Sequence, residues 1–366
     1  MSDAPTGIAA RGGALAGALA DGRARAFAKA VWRELAADRV LYLIIAAYGL
    51  VALGMAAFAG VLGRVNFLTY MPVWSQGIAA ALLLYVMLIE APRSIRAAPA
   101  APMTHLLARV RELLTPRVVA GLLLVWAVGL FMGVFTTVKT MLPQFTTFGW
   151  DSTFAHLDAT LFGADPWRLL HPFMGHLAVS KTVEFCYAGV WMLSICAAPA
   201  FAALSPTMAH RRHRFLITYF LCWIVLGNLM AGIFYSAGPC FYAHLTGDAA
   251  RYGELIAYHA STPQDIRSAY TLQEWLWEVQ KEGRLQVGSG ISAFPSLHVA
   301  MATVVAIASF TVNRKVGLAG LAWLALIWAA SIHLGWHYAV DGLASMAGVL
   351  LIWFALRPLQ KSSQPA

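Results

Sequence analysis

Eight apolar runs, each close to the length that crosses a lipid bilayer, dominate this sequence of 366 residues. A helix needs about 20 apolar residues to span roughly 30 Å of hydrocarbon at 1.5 Å per residue. Charged residues make up only 12% of the chain, against about 25% in a soluble domain. The sequence therefore predicts an all-α integral membrane protein, a bundle of about eight transmembrane helices. The runs lie near 41–62, 74–90, 117–138, 183–204, 214–236, 295–312, 316–334 and 338–356.

Lysine and arginine are distributed unevenly between the segments that join these runs. With the N-terminus in the cytoplasm, most of the 26 Lys and Arg residues fall in inner segments, although both long loops, about 139–180 and 238–293, are outer. Positive residues are retained on the cytoplasmic side, so this orientation is predicted. The net charge of +9 then reflects topology, and we expect no nucleic-acid partner. The alanine-rich composition favours a bacterial chain, which makes the outer face periplasmic.

The segment "ISAFPSLHVAMATVV" places a histidine at the start of the sixth run. Pro295 suits the first helical turn because its missing N–H would have no partner there. The N–H groups of Ser296, Leu297 and His298 would then be free at the positive end of a helix, which favours a phosphate. A histidine that merely lies at the membrane interface is the alternative reading.

A second histidine precedes the last run, in "SIHLGWHYAVDGLAS". His337 and Asp341 are four residues apart, so on a helix they share a face and the carboxylate can bind one imidazole nitrogen. That contact would leave the other nitrogen free as a nucleophile. His298 and His337 both begin crossings from the outer face, so the two histidines and the aspartate can meet there. An aspartate that only caps the helix is the alternative.

These two segments resemble signatures of the type 2 phosphatidic acid phosphatase superfamily. "FPSLHVAM" resembles the second signature, a Pro-Ser-Gly-His pattern, and "HLGWHYAVDGL" resembles the third, a His followed four residues later by Asp. Within the superfamily the chain is most similar to the inositol phosphorylceramide synthase branch, the Aur-type inositol phosphotransferases, through "AFPSLH", "HYAVD" and, more loosely, "LFGADP".

The resemblance implies a membrane lipid phosphotransferase with a phosphohistidine intermediate and a six-helix core. His337, oriented by Asp341, would be the nucleophile, and His298 the general acid and base. Ser296 and Leu297 would contribute phosphate-binding N–H groups. Implied partners are a phospholipid donor and a lipid alcohol or water as acceptor, with no metal or cofactor. A lipid phosphate phosphatase of the same superfamily is the alternative.

The resemblance also predicts how the chain is divided. We expect a basic amphipathic cytoplasmic N-terminus (1–40) and two additional transmembrane helices with a basic inner loop (41–110). A phosphatidic acid phosphatase-like catalytic membrane domain (111–356) and a cytoplasmic tail (357–366) follow.

The chain departs from the superfamily in its phosphate-binding cations. The first signature, a Lys and an Arg-Pro seven residues apart, is absent, Ser331 stands where the third signature has Arg, and Leu297 replaces Gly. We expect Arg284, the nearest outer-loop cation in sequence, to bind phosphate instead. Other possible substitutes are Lys281, Arg251 and Arg267.

Two further classes of function remain as rivals. His333, His337 and Asp341 recur every four residues, a spacing that could bind a metal ion. Glu184 and Asn228 could instead line the path of a lipid transporter. The sequence lacks a His-Glu-x-x-His motif and any detectable repeat, which disfavours both.

Overall fold

The computed structural model describes residues 6–282 and 289–359, with side chains from residue 22 onward. Within these ranges all regular secondary structure is helical, which confirms the predicted all-α class. We number the main helices in chain order and omit isolated 3-10 turns. They are α1 Thr6–Ala37, α2 Arg39–Phe58, α3 Met71–Ala97, α4 Pro102–Leu113, α5 Pro116–Gln144, α6 Asp151–Phe162, α7 Pro166–Met174, α8 Leu177–Leu204, α9 Arg212–Ile233, α10 Tyr242–Thr246, α11 Ala250–Ser261, α12 Ala269–Lys281, α13 Leu297–Ser309, α14 Arg314–His333 and α15 Ala339–Ala355.

All eight predicted spans are helices, but two are shorter than expected. Helices α2, α3, α5, α8, α9 and α14 are long and apolar enough to cross a bilayer. Helix α13 has 13 residues and α15 has 17, fewer than the ~20 that a span requires. Both are apolar and begin beside the candidate site residues. The chain is thus a multi-pass membrane protein in which two apolar helices are shorter than a typical span.

The chain forms two compact units. The first comprises Met1–Leu43 and Val73–Ala127, and the second comprises Ile44–Pro72 and Val128–Ala366. Within the first, the buried Glu90 carboxylate accepts hydrogen bonds from Tyr85 at 3.0 Å and Arg93 at 2.9 Å. The candidate site lies entirely within the second unit.

Helix α13 is the centre of the second unit and packs against α8, α9, α14 and α15. Its residues from Val299 to Val304 are all buried, and all except Met301 are small or β-branched. A Cβ atom at Gly320 of α14 would lie 2.9 Å from the Ser309 side chain and 3.0 Å from the Ala306 Cα atom. Small residues allow this close approach of membrane helices. This contact holds the C-terminal end of α13, and His298 lies in the first turn at the other end of the same helix.

Candidate active site

Ser296 joins the first turn of α13 to α15. Its hydroxyl accepts a hydrogen bond from the N–H of Val299 at 3.4 Å, the N-cap arrangement. Its own N–H donates to the Asp341 carbonyl at 3.3 Å, and the Ser345 hydroxyl donates to the Ser296 carbonyl at 2.8 Å. The N–H of Ser296 is therefore occupied in this structure. The first-turn N–H groups of Leu297 and His298 have no acceptor within their own helix.

The imidazole of His298 lies against two aromatic rings of α8. Its centroid is 4.0 Å from that of Tyr187 and 3.9 Å from that of Trp191, and both pairs are stacked. The indole Nε1 of Trp191 also donates to the His298 carbonyl at 3.0 Å. The two rings fix the position of the imidazole, and a cation–π attraction would offset part of the cost of charging it in this apolar environment. The sequence analysis did not identify either aromatic residue.

Tyr187 lies in a π-helical segment, Cys186–Val190, within α8. Such segments widen a helix by one residue and are frequent at functional sites. Here Tyr187 and Trp191, four residues apart, stack on the same imidazole. A second π-helical segment, Cys222–Met230 in α9, also borders the site.

His337 is held mainly by a backbone carbonyl. Its Nδ1 donates to the Ala293 carbonyl at 2.8 Å and is 3.4 Å from Oδ2 of Asp341. Burial lowers the pKa of His337 to about 3. The hydrogen bond to Ala293 raises this pKa in part, and the charge of Lys139 lowers it further. The ring is thus neutral with its proton on Nδ1. Among the described residues, no side chain or backbone group hydrogen-bonds to Nε2, which leaves that nitrogen available as a nucleophile.

Asp341 serves the fold as well as the site. Its Oδ2 accepts a hydrogen bond from the N–H of Tyr338 at 2.9 Å, which forms a capping box at the start of α15. Its buried Oδ1 has no hydrogen-bond partner among the described residues. The carboxylate therefore caps the helix, and the same Oδ2 lies 3.4 Å from Nδ1 of His337, close enough to stabilise positive charge on that ring. The capping reading of Asp341 is thus confirmed, and its role beside His337 stays a prediction.

The two histidine rings approach each other across the helix ends. The centroids of His298 and His337 are 6.2 Å apart, with planes tilted by 55°. At this separation both rings can contact one phosphoryl group placed between them. The pairing of these loops expected from the sequence is therefore present.

Lys139 of α5 is a cation of the site that the sequence analysis missed. Its Nζ donates to the Gly227 carbonyl, in the π-helical segment of α9, at 3.2 Å. A Cβ atom at Gly227 would lie 2.8 Å from the side chain of Leu297, so this carbonyl belongs to the wall beside the predicted phosphate donors. A positive charge on Lys139 also contributes to lowering the pKa of His337, after burial of the ring. An isolated lysine within an apolar span, "FTTVKTML", was the available signal.

Of the four cations chosen from the sequence, two are paired with carboxylates, one is exposed, and one lies outside the described residues. Arg284 falls in the undescribed segment 283–288. Arg251 binds Oδ1 of Asp165 at 2.7 Å, and Lys281 binds Glu278 at 2.6 Å. The side chain of Arg267 is exposed.

The residues of the rival functions have structural partners. Nε2 of His333 is 3.1 Å from the Ser180 hydroxyl, and the described part of the chain contains no group of three His, Cys, Asp or Glu side chains placed to hold a metal ion. Glu184 accepts from the N–H of Ala269 at the start of α12, and its Oε2 is 2.8 Å from Nζ of Lys181. The side-chain amide of Asn228 donates to Tyr48 and to the Phe135 carbonyl, which joins α9 to α2 and α5.

Comparison with known proteins gives one match. A sequence model described as the PAP2 superfamily matches residues 152–355, from the first residues of α6 to the end of α15. The match includes both histidine loops, and Lys139 precedes it. No curated protein matches the chain. No solved structure matches it either.

Proposed function

The chain belongs to the PAP2 superfamily, and from that premise we propose that it is a membrane lipid phosphotransferase acting through a phosphohistidine. It would move a phosphoryl or phospho-head group between lipids at the outer membrane face, as an inositol phosphorylceramide synthase does. The observation that carries the proposal is the pair of imidazoles, His298 and His337, 6.2 Å apart at the ends of two neighbouring helices. One is stacked between aromatic rings and the other is neutral with a free Nε2.

In the first step, Nε2 of His337 attacks the phosphorus of the donor lipid. The P–N bond forms as the bond from phosphorus to the leaving oxygen breaks, and that oxygen takes a proton from the His298 imidazolium. The phosphorylated His337 ring then carries positive charge. The Ala293 carbonyl and Oδ2 of Asp341 would stabilise this charge, which is the role of an orienting carboxylate beside a catalytic imidazole.

In the second step, the acceptor hydroxyl attacks the phosphohistidine. His298, now neutral, takes the hydroxyl proton while the oxygen bonds to phosphorus and the P–N bond breaks. His337 returns to its neutral form with the proton on Nδ1. A lipid alcohol as acceptor gives transfer, and water gives hydrolysis. A lipid phosphate phosphatase is therefore the alternative function.

Lys139 and the first turn of α13 support phosphate binding in this scheme. The ammonium can exchange the Gly227 carbonyl for a phosphate oxygen, because lysine has a flexible stem and three donors. The N–H groups of Leu297 and His298 add two donors at the positive helix end. These groups supply cationic and N–H contacts that would replace those of the missing first signature.

A lipid product assay tests this function. The purified protein would be given phosphatidylinositol, phosphatidylglycerol or phosphatidic acid, with ceramide or diacylglycerol as acceptor, and products would be measured by mass spectrometry. We expect a new phospholipid in excess of released phosphate. Release of free phosphate from phosphatidic acid, or of the phospho-head group from the other donors, without a new phospholipid would establish the phosphatase alternative. The absence of any acceptor-dependent or water-dependent product from every donor would contradict the proposal.

The orientation is part of the same proposal, which places the site at the periplasmic face of a bacterial inner membrane. In a variant lacking the four native cysteines, Asp265→Cys should react with an impermeant maleimide in intact cells, and Arg211→Cys should not. Both positions are exposed, so a difference reports sidedness and not burial. After permeabilisation both should react equally. The reverse pattern in intact cells would invert the topology.

A further inference from the structure

Helix α6 contacts both histidine loops through one face. Phe154 stacks on Phe294, just before the α13 loop, with centroids 4.4 Å apart. Asp151 accepts from the Tyr338 hydroxyl at 2.9 Å, and Asp158 accepts from two N–H groups at the start of α15. Positions 151, 154 and 158 share one helix face. This single outer helix therefore braces the two halves of the site.

Asp158 binds the turn that carries His337. Its Oδ2 accepts from the N–H of Ala339 at 2.7 Å, and its Oδ1 accepts from the N–H of Val340 at 2.9 Å. These are two of the four N–H groups that a helix start leaves without partners. Asp158 and His337 also line the same small cavity. The carboxylate thus holds the peptide groups two and three residues after His337.

The surroundings of Asp158 disfavour its charge. Burial raises the pKa of Asp158 to about 7, although its two N–H bonds lower it, and the nearby carboxylates of Asp341 and Asp165 raise it further. The cation Arg251 is bound to Asp165. The titratable and charged groups around the carboxylate are Asp151 on α6, Asp165 before α7, Tyr242 on α10, Arg251 and Tyr252 on α11, His337, Tyr338 and Asp341.

Only the ionised carboxylate satisfies both N–H groups. Each oxygen of the anion is an acceptor, whereas protonation turns one oxygen into a donor that faces another donor. Protonated Asp158 would therefore keep one N–H bond and lose the other. The turn from His337 to Asp341 would lose part of its support.

We propose that Asp158 is a positioning residue that keeps His337 aligned for attack while its carboxylate is ionised, so that acidification slows the first chemical step. The proposal rests on the phosphohistidine function proposed above. It assigns the pH dependence of that step to a residue outside the catalytic pair.

The stability of the fold should change with pH in the opposite sense. The folded pKa of Asp158, about 7, exceeds its usual 3.8, so folded protein binds this proton more tightly than unfolded protein does. The resulting stabilisation is present below about pH 4 and is lost as the pH rises through 7. Protonation of Asp158 at low pH should therefore lower the activity without destabilising the folded protein.

The test measures the first step alone. With a lipid phosphate that carries p-nitrophenol as leaving group, the initial nitrophenolate burst reports attack by His337 and needs no proton from His298. We expect the wild-type burst rate to decrease as the pH is lowered below about 7, and we call this decrease the acid limb of the profile. In Asp158→Asn the rate at pH 8 should fall about tenfold and the acid limb should disappear, because misalignment slows attack and the group no longer titrates.

Two other variants complete the test. Asp248→Asn is the matched control, because Asp248 caps the start of α11 by accepting from the N–H of Ala250 at 2.9 Å, and it should retain the wild-type profile. Asp165→Asn should move the acid limb to lower pH, because it removes a negative neighbour of Asp158. This variant tests the proposal even if Asp158→Asn fails to fold.

The outcomes separate this proposal from the proposed function. Phosphohistidine trapped by acid quench, together with a wild-type acid limb in both Asp158→Asn and Asp165→Asn, would overturn the positioning role alone. A wild-type protein that traps no phosphohistidine under any condition would overturn the function on which the role rests.

Discussion

His337→Ala should abolish lipid phosphoryl transfer, with kcat lowered by at least about 10⁴-fold, because the variant has no nucleophile at the position of Nε2. Acid quench should trap no phosphohistidine. The variant also loses the hydrogen bond from His337 to the Ala293 carbonyl, which should cost about 1 to 3 kcal/mol of stability, so detergent stability is measured beside the rate. Initial rates on natural and activated lipid phosphates measure the effect.

Two neighbouring variants distinguish the roles within this site. His298→Ala should lose about 10²- to 10⁴-fold on a natural lipid and much less on a p-nitrophenyl substrate, because that leaving group departs without protonation. Asp341→Asn keeps the size of the side chain but removes its negative charge. It should lower the rate on both substrates.

A near wild-type rate in His337→Ala would contradict the covalent mechanism, as would trapping of the phosphate on another residue. Equal losses of His298→Ala on both substrates would remove the general-acid role of His298. These results would leave the membership of the PAP2 superfamily intact.

Lys139→Met should produce the second largest loss, about 10²- to 10³-fold in kcat/KM, because a cation beside a transferring phosphoryl group stabilises charge in a water-poor site. Vanadate, which can adopt the geometry of the transferring phosphorus, should inhibit the variant at correspondingly higher concentration. Lys139→Arg keeps the charge and should retain more activity than Lys139→Met. Kinetics and vanadate inhibition of the purified variants measure both effects.

Lys281→Met is the matched control, since Lys281 is an exposed lysine paired with Glu278 on α12. It should behave as wild type. If Lys281→Met lost as much activity as Lys139→Met, or if Lys139→Met bound vanadate normally, the phosphate-binding cation would lie elsewhere. The outer-loop residue Arg284, chosen from the sequence, would then be the next residue to test.

The sequence identified the candidate catalytic residues because their pattern is local. A Pro-Ser-x-His segment at the start of one span and a His-x-x-x-Asp segment at the start of another can be recognised in the sequence alone. The predicted topology places both on the same side of the membrane. Lys139, the phosphate-binding cation proposed here, was missed for the converse reason. Arg284 is near His298 in sequence, whereas Lys139 reaches the site only because α5 packs beside α9.

The helix lengths show a second limit of local pattern. Hydropathy extends the sixth run over 295–312, yet α13 covers only Leu297–Ser309, because apolar residues in a turn count as much as those in a helix. The residues beyond it include Thr311, whose hydroxyl donates to the Ala308 carbonyl at 2.6 Å, and Asn313, which caps α14. The pattern predicted that the helix exists but not where it ends.

The sequence by itself determined the all-α membrane class, the two histidine loops and their pairing, because hydrophobic length and short motifs depend on neighbours along the chain. Only the tertiary structure decided what surrounds each imidazole. His298 stacks on Tyr187 and Trp191 of α8, His337 donates to the Ala293 carbonyl, and Asp158 of α6 holds the turn that follows. Most of these partners are far away in sequence, so their distances depend on how the helices pack, which no local pattern records.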